Sequence, residues 1–246
     1  MAEIDILLQE DRGSTRILTL NRPRRLNALN GALVDAICDA VGNAHGDEAV
    51  ACIVLQGNER AFSAGADMKE AAEHGGEGLR EARNRAEAGA AIYELARLTD
   101  KPLIAAVRGY ALGGGCNLAV ACDMAVAGAS AVFGYPEVRR GLAATMVTPG
   151  LAQCIGRKAA FELLTLAEDV SANRALELGI VNRVVPDGKV LDEALEMATA
   201  LAAFDREAVR ATKRVFQRSL DVPLADALAA ARETMLAMRR GMVPPE

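Results

Sequence analysis

The sequence predicts an α/β fold, in which strand–helix repeats build a parallel sheet and a run of helices follows. Three observations predict it. Short apolar runs such as Ala51–Leu55 and Leu103–Val107 are bounded by Gly and Pro and read as buried strands. Stretches with apolar residues at helical spacing separate them, as at Leu33, Val34, Ile37 and Val41. After about residue 187 the strand signal stops and three helical patterns follow one another. The chain accordingly divides at 187/188 into a core, residues 1–187, and a helical region, residues 188–246. Hydrophobic residues make up 51% of the 246, yet aromatics are only 3% and Trp is absent. The core must therefore be built from closely packed Ala, Leu and Val.

Taken in order, Ile4–Leu8 and Thr15–Leu20 read as strands around a turn at Asp11-Arg12-Gly13. The polar stretch Asn21–Asn30 is a loop with the adjacent cations Arg24 and Arg25, and Asn30 is placed to cap the helix that follows. After the strand at Ala51–Leu55, Ala61–Glu70 turns into a helix for which Asp67 is the expected cap. Residues 71–78 form a Gly- and Glu-rich loop, and one helix is expected from about Leu79 to Leu98. Met124–Val126, Ala131–Phe133 and Val181–Val185 are short strands, with Gly134–Gly141 as a loop. Helices are expected near 147–155, 157–166, 171–178, 188–203, 205–219 and 223–239.

The most informative stretch is Lys101–Ala119. An apolar strand there runs into Gly113-Gly114-Gly115 and then Asn117-Leu118-Ala119, which has the composition of a helix start. Glycines let a ligand approach the backbone closely. The first N–H groups of a helix have no internal partner and favour negative charge. A phosphate or an enolate oxygen would suit such a place, and so would a tight turn needed only for packing. A dinucleotide fold is excluded by spacing, because a G-x-G-x-x-G pattern from Gly113 requires Gly or Ala where Leu118 stands.

Other classes are excluded by composition. A net charge of −5 argues against a nucleic-acid surface. No apolar run reaches the roughly 18 residues of a membrane span. The acidic start Met1–Asp5 is unlike a signal peptide. Five cysteines without a CxxC pair read as reduced core thiols, so a cytoplasmic location is expected. His45 and His74 lie in polar loops without ligand spacing.

Read together and in order, Asn21–Asn30, Ala61–Glu70, Lys101–Asp123 and Phe133–Gly141, continued by Ala159–Leu164 and Ser171–Asn182, resemble the crotonase superfamily, the enoyl-CoA hydratase/isomerase family. The resemblance covers nearly the whole chain. It implies a spiral of ββα repeats followed by a C-terminal helical trimerisation region, hence a homotrimer or a hexamer of two trimers. It implies an acyl-CoA substrate, with coenzyme A entering as part of the thioester and no separate cofactor or metal. The oxyanion hole would be the backbone N–H groups of Ala66 and Gly114. Contacts to substrate and CoA would come from Arg24, Arg25, Ala28, Ala64, Gly65, Asp67 and Met68.

Three departures matter. Hydratases of the family carry two glutamates; here one is Glu137, and the other position is Asn117. An amide cannot exchange a proton near neutral pH, so at most it orients a water or a substrate group. The run Ala143–Thr148 replaces a glycine-rich segment, which would reshape the acyl pocket. The end at Pro244-Pro245-Glu246 puts a C-terminal CoA contact in doubt. With Glu137 as sole acid–base, double-bond isomerisation is the expected reaction. The alternatives are hydration, as an enoyl-CoA hydratase, and a catalytically weak acyl-CoA-binding protein.

Overall fold

The computed structural model describes residues 5–242, so the sequence end at Pro244–Glu246 lies outside the described residues. Its architecture follows from alternation along strands buried on both faces. A six-stranded sheet has the order β1(Leu7–Arg12), β2(Thr15–Leu20), β3(Cys52–Gln56), β5(Leu103–Val107), β7(Met124–Gly128), β10(Arg183–Val185). All neighbours are parallel except the β1/β2 hairpin. Ile53, Leu55, Leu103, Ala105, Ala125 and Ala127 point into one apolar core, while Cys52, Val54, Ile104, Ala106 and Val126 point into a second. The first core is closed by α1(Gly31–Gly46) through Leu33, Val34, Ile37 and Val41. The second is closed by α8(Val190–Ala202) through Val190, Ala194, Met197 and Ala198. Residues 190–202, which the sequence groups with the helical region, thus share a core with the sheet.

A second, four-stranded sheet has the order β4(Ala61–Ser63), β6(Tyr110–Leu112), β8(Val132–Gly134), β9(Val170–Ser171). Successive units β3–β4, β5–β6 and β7–β8 each give their first strand to the large sheet and their second to the small one. Helices follow each pair: α2(Met68–Glu73) and α3(Leu79–Ala90), then α4(Gly114–Val120), then α5(Thr148–Ile155) and α6(Arg157–Leu166). The chain is a spiral of ββα units. It continues through α7(Ala172–Leu178) and ends in α9(Arg206–Asp221) and α10(Leu224–Met242), which pack on each other.

Four expectations are corrected. The first strand of the described residues is Leu7–Arg12, shifted from the expected Ile4–Leu8, of which Ile4 lies outside the described residues; its polar residues are tolerated because it is an edge strand, and Asp11 lies opposite Arg16 and pairs with it. The expected single helix over 79–98 stops being α-helical at Ala90 and continues as a 3-10 segment, Ala91–Leu98, with Glu94 out of helical geometry at φ −110°. Three-residue periodicity there stacks Ile92 and Leu95 on one face, and both are buried. The apolar run after Lys101 is two strands in two sheets, parted at Gly109, whose φ is +62°. Helix α4 starts at Gly114, three residues before the expected start at Asn117.

Candidate active site

β4, β6 and β8 are adjacent and parallel, so their C-terminal ends lie at one edge of the small sheet. Ligands in parallel sheets bind beyond such ends. Past β4 come Ala64–Met68, past β6 the glycine triplet, and past β8 Tyr135, Pro136 and Glu137. Together they line a cavity of about 190 Å³: Ala64, Gly65, Ala66 and Met68 from the first, Gly113 and Gly114 from the second, Pro136 and Glu137 from the third. Arg140, the segment Leu142–Val147 and Tyr93 complete the wall.

Backbone pairing decides which N–H groups face this space. Leu29 N–H donates to the Gly65 carbonyl (2.8 Å) and Asp67 N–H to the Leu29 carbonyl (2.9 Å), a parallel bridge centred on Ala66. The N–H of Ala66 therefore points away from Leu29. Gly65 sits there with φ +87°, and a Cβ on it would lie 2.6 Å from the Leu112 carbonyl and 3.2 Å from the Gly114 nitrogen. The two loops touch backbone to backbone. Gly114 is the first residue of α4, where an N–H has no intrahelical acceptor. Among the described residues neither Ala66 N–H nor Gly114 N–H has an acceptor.

The glycine triplet is explained by what stands beside each residue. A Cβ on Gly113 would be 2.7 Å from Glu137 Oε1, one on Gly114 2.5 Å from Tyr93 Oη, and one on Gly115 2.2 Å from the Ser63 carbonyl oxygen. Any side chain would push a carboxylate, a hydroxyl or a strand end away. Glu137 is half-buried, and its Oε2 is enclosed without a hydrogen-bond partner among the described residues. Burial raises its pKa above the usual 4.5, opposed by its own backbone N–H and by Arg140. Such a carboxyl is poised to take up and return a proton.

The loop at 21–30 is stitched to this edge by side chains that the sequence did not single out. Asn27 is fully buried; its Nδ2 donates to the carbonyls of Ala61 (3.0 Å) and Phe62 (3.2 Å) and its Oδ1 accepts from Arg22 N–H. Ser63 Oγ donates to the Asn27 carbonyl and accepts from Gly65 N–H. Arg22 pairs with Asp67 at 2.8 Å and donates to the Ala28 carbonyl. Burial alone would raise the Asp67 pKa, but Arg22 and the N–H groups of Glu70 and Lys69 outweigh it and hold the carboxyl below 3.8. Asp67 caps α2, as expected, and Glu70 in turn accepts from Gly31 N–H at the start of α1.

Of the residues singled out in the sequence, Ala64, Gly65, Ala66, Met68, Gly114 and Glu137 come together around one cavity. Asp67 faces the helix start behind it, and Ala28 lies on the stitched loop. Arg24 and Arg25 sit exposed on a short 3-10 turn, outside the cavity wall and without an ion-pair partner among the described residues. Asn117 is 1% exposed and is not part of that wall; it lines an adjoining cavity of about 350 Å³. Tyr93, which lines both, gave no signal in sequence, because an aromatic in an amphipathic helix reads as core.

Residues 10–239 match the family model described as enoyl-CoA hydratase/isomerase. A probable enoyl-CoA hydratase of Rhizobium meliloti is 38% identical over 230 residues, covering 91% of this chain and 86% of that protein. A probable mitochondrial enoyl-CoA hydratase of Dictyostelium discoideum is 38% identical over 220 residues, covering 89% and 78%. The crystal structure of an enoyl-CoA hydratase from Mycobacterium smegmatis superposes with a TM-score of 0.89 at 36% identity, over 98% of this chain and 92% of that one.

Proposed function

Because the chain belongs to the enoyl-CoA hydratase/isomerase family, we propose that it adds water across the α,β double bond of an enoyl-CoA thioester. The observation that carries this reading is the meeting, in one small cavity, of the acceptor-free N–H groups of Ala66 and Gly114 with the half-buried carboxyl of Glu137. The preference for isomerisation drawn from Asn117 gives way to hydration, since the matched relatives bear hydratase names.

In this mechanism the thioester oxygen sits between the two N–H groups, which hold the negative charge it gains as water attacks Cβ. Each such donor is typically worth about 3–4 kcal/mol of barrier. Glu137 as carboxylate takes one proton from the water while the remaining hydroxyl bonds to Cβ. The enolate then collapses, and the protonated Glu137 delivers a proton to Cα. The sum is one water added, and the carboxylate is regenerated. A raised pKa favours both halves of that cycle.

Arg24 and Arg25 are suited to the CoA phosphates, as exposed guanidinium forks beside the stitched loop. α10 leaves Leu224, Leu228, Met235 and Leu236 exposed, which supports burial of that helix between subunits of a trimer. Sedimentation of a concentration-independent monomer would contradict the trimer. The reaction is tested by offering the wild-type protein crotonyl-CoA and a β,γ-enoyl-CoA side by side. Hydration of the first is the expected main activity; isomerisation of the second without hydration of the first would reverse the assignment.

A further inference from the structure

Hydration through one carboxylate leaves a question that the geometry answers: what holds the attacking water in place. Two consecutive glycines admit two oxygens to the same turn, Glu137 Oε1 beside Gly113 and Tyr93 Oη beside Gly114. Tyr93 belongs to the 3-10 segment whose neighbours Ile92 and Leu95 are locked into the core, which fixes the ring's direction. It is the residue shared by the wall of the Glu137 cavity and the wall of the adjoining cavity that holds Asn117. Asn117 Oδ1 is buried and has no hydrogen-bond partner among the described residues. The Tyr93 hydroxyl makes no hydrogen bond within the described residues, and Tyr93 lines the same cavity as Glu137.

Resting on the hydratase reading, we propose that Tyr93 is the positioning residue for the attacking water, its hydroxyl orienting that water toward Cβ. A hydroxyl both donates and accepts, so it can fix a water whose other proton goes to Glu137. Burial, and secondarily the charge of Glu137, push the Tyr93 pKa to about 12, so the phenol keeps its proton at neutral pH. The role once open to a second carboxylate is then filled by a neutral group that orients and does not titrate.

The test is Tyr93→Phe in the full chain, which keeps the ring and removes only the hydroxyl. Three readouts are compared with wild type: hydration of crotonyl-CoA, exchange of the α-protons of butyryl-CoA in deuterated water, and affinity for butyryl-CoA by calorimetry. Exchange needs Glu137 and the two N–H groups but no oriented water. Misplacing a reactant typically costs up to about 100-fold, so hydration kcat should fall roughly 10- to 100-fold, with KM, affinity and exchange kept near wild type. Unchanged hydration in Tyr93→Phe would overturn the proposal. So would a parallel loss of hydration and exchange, which would mean that Tyr93 merely supports the turn. A wild-type protein that exchanges α-protons yet does not hydrate would instead overturn the hydratase reading, and this proposal with it.

Discussion

The two walls of the cavity are built in opposite ways. The donor wall, Ala61–Ala66 with Gly113–Gly115, is tied by long-range bonds: Ala64 N–H to the Leu26 carbonyl, Gly113 N–H to the Gly134 carbonyl at 2.7 Å, and Asn27 to two carbonyls of β4. Ala61, Phe62 and Ser63 are fully buried. The opposite wall, Leu142–Val147, has short local bonds, such as Thr145 N–H to the Ala143 carbonyl, and leaves Leu142 and Met146 exposed by 43% and 45%. Where the proposed reaction must stabilise charge, the backbone is held by the sheet itself. Where an acyl chain must be accommodated, side chains are free to differ. In the proposed reaction, chemistry is anchored in the core and selectivity is carried by a loop.

That contrast is most sharply broken at Gly115. Gly115→Ala would place a Cβ 2.2 Å from the Ser63 carbonyl, force the triplet off β4 and displace the Gly114 donor. Hydration kcat should drop about 100- to 1,000-fold, the loss typical of one oxyanion donor. Gly42→Ala, in α1 with nothing within 4 Å of its added Cβ, serves as control and should raise stability by about 0.5–1 kcal/mol with activity unchanged.

Next in size is the stitching of the donor wall. Arg22→Met leaves the Asp67 carboxylate without its cation, and a thermal or urea melt should show a loss of roughly 1.5–3 kcal/mol, the range of a hydrogen bond to a charged group. Arg24→Met, two residues on and exposed, should stay within about 0.5 kcal/mol of wild type. Equal losses would mean that Arg22 does no more than a surface charge. The smallest effect is expected at Met146. Met146→Ala should leave stability within about 0.5 kcal/mol, since half the side chain is in solvent, and should shift preference toward bulkier acyl groups. Competition between short and branched enoyl-CoA substrates reads that shift directly.

Much of this was legible in the sequence, for identifiable reasons. Continuous apolar runs bounded by Gly and Pro, as in Ala51–Leu55 and Leu103–Val107, name strands buried on both faces, and Asn30 and Asp67 announce their helices because capping is local chemistry. The partition of two strands between two sheets at Gly109 was hidden, since both halves are apolar and only tertiary pairing separates them. Hidden too were Arg22 and Asn27, whose partners lie more than thirty residues away in sequence. Glu137 and the glycine triplet could be named from their motif, whereas the Tyr93 hydroxyl depends on a helix tightening that its apolar neighbours impose.

In the proposed reaction Glu137 alone carries the proton. Its raised pKa means that the folded chain binds a proton more readily than the unfolded one, so stability falls as pH rises from the ordinary value of 4.5 through the raised one, and the charge costs stability at neutral pH. Glu137→Gln should therefore melt slightly higher than wild type at neutral pH. The most direct measurement is the pH profile of kcat/KM for crotonyl-CoA hydration in wild type and in Glu137→Gln. Wild type should show an acid limb with its midpoint above 4.5, and the variant a fall of about 100- to 10,000-fold with no such limb in what activity remains. A Glu137→Gln protein that hydrates at the wild-type rate with the same acid limb would place the acid–base group elsewhere.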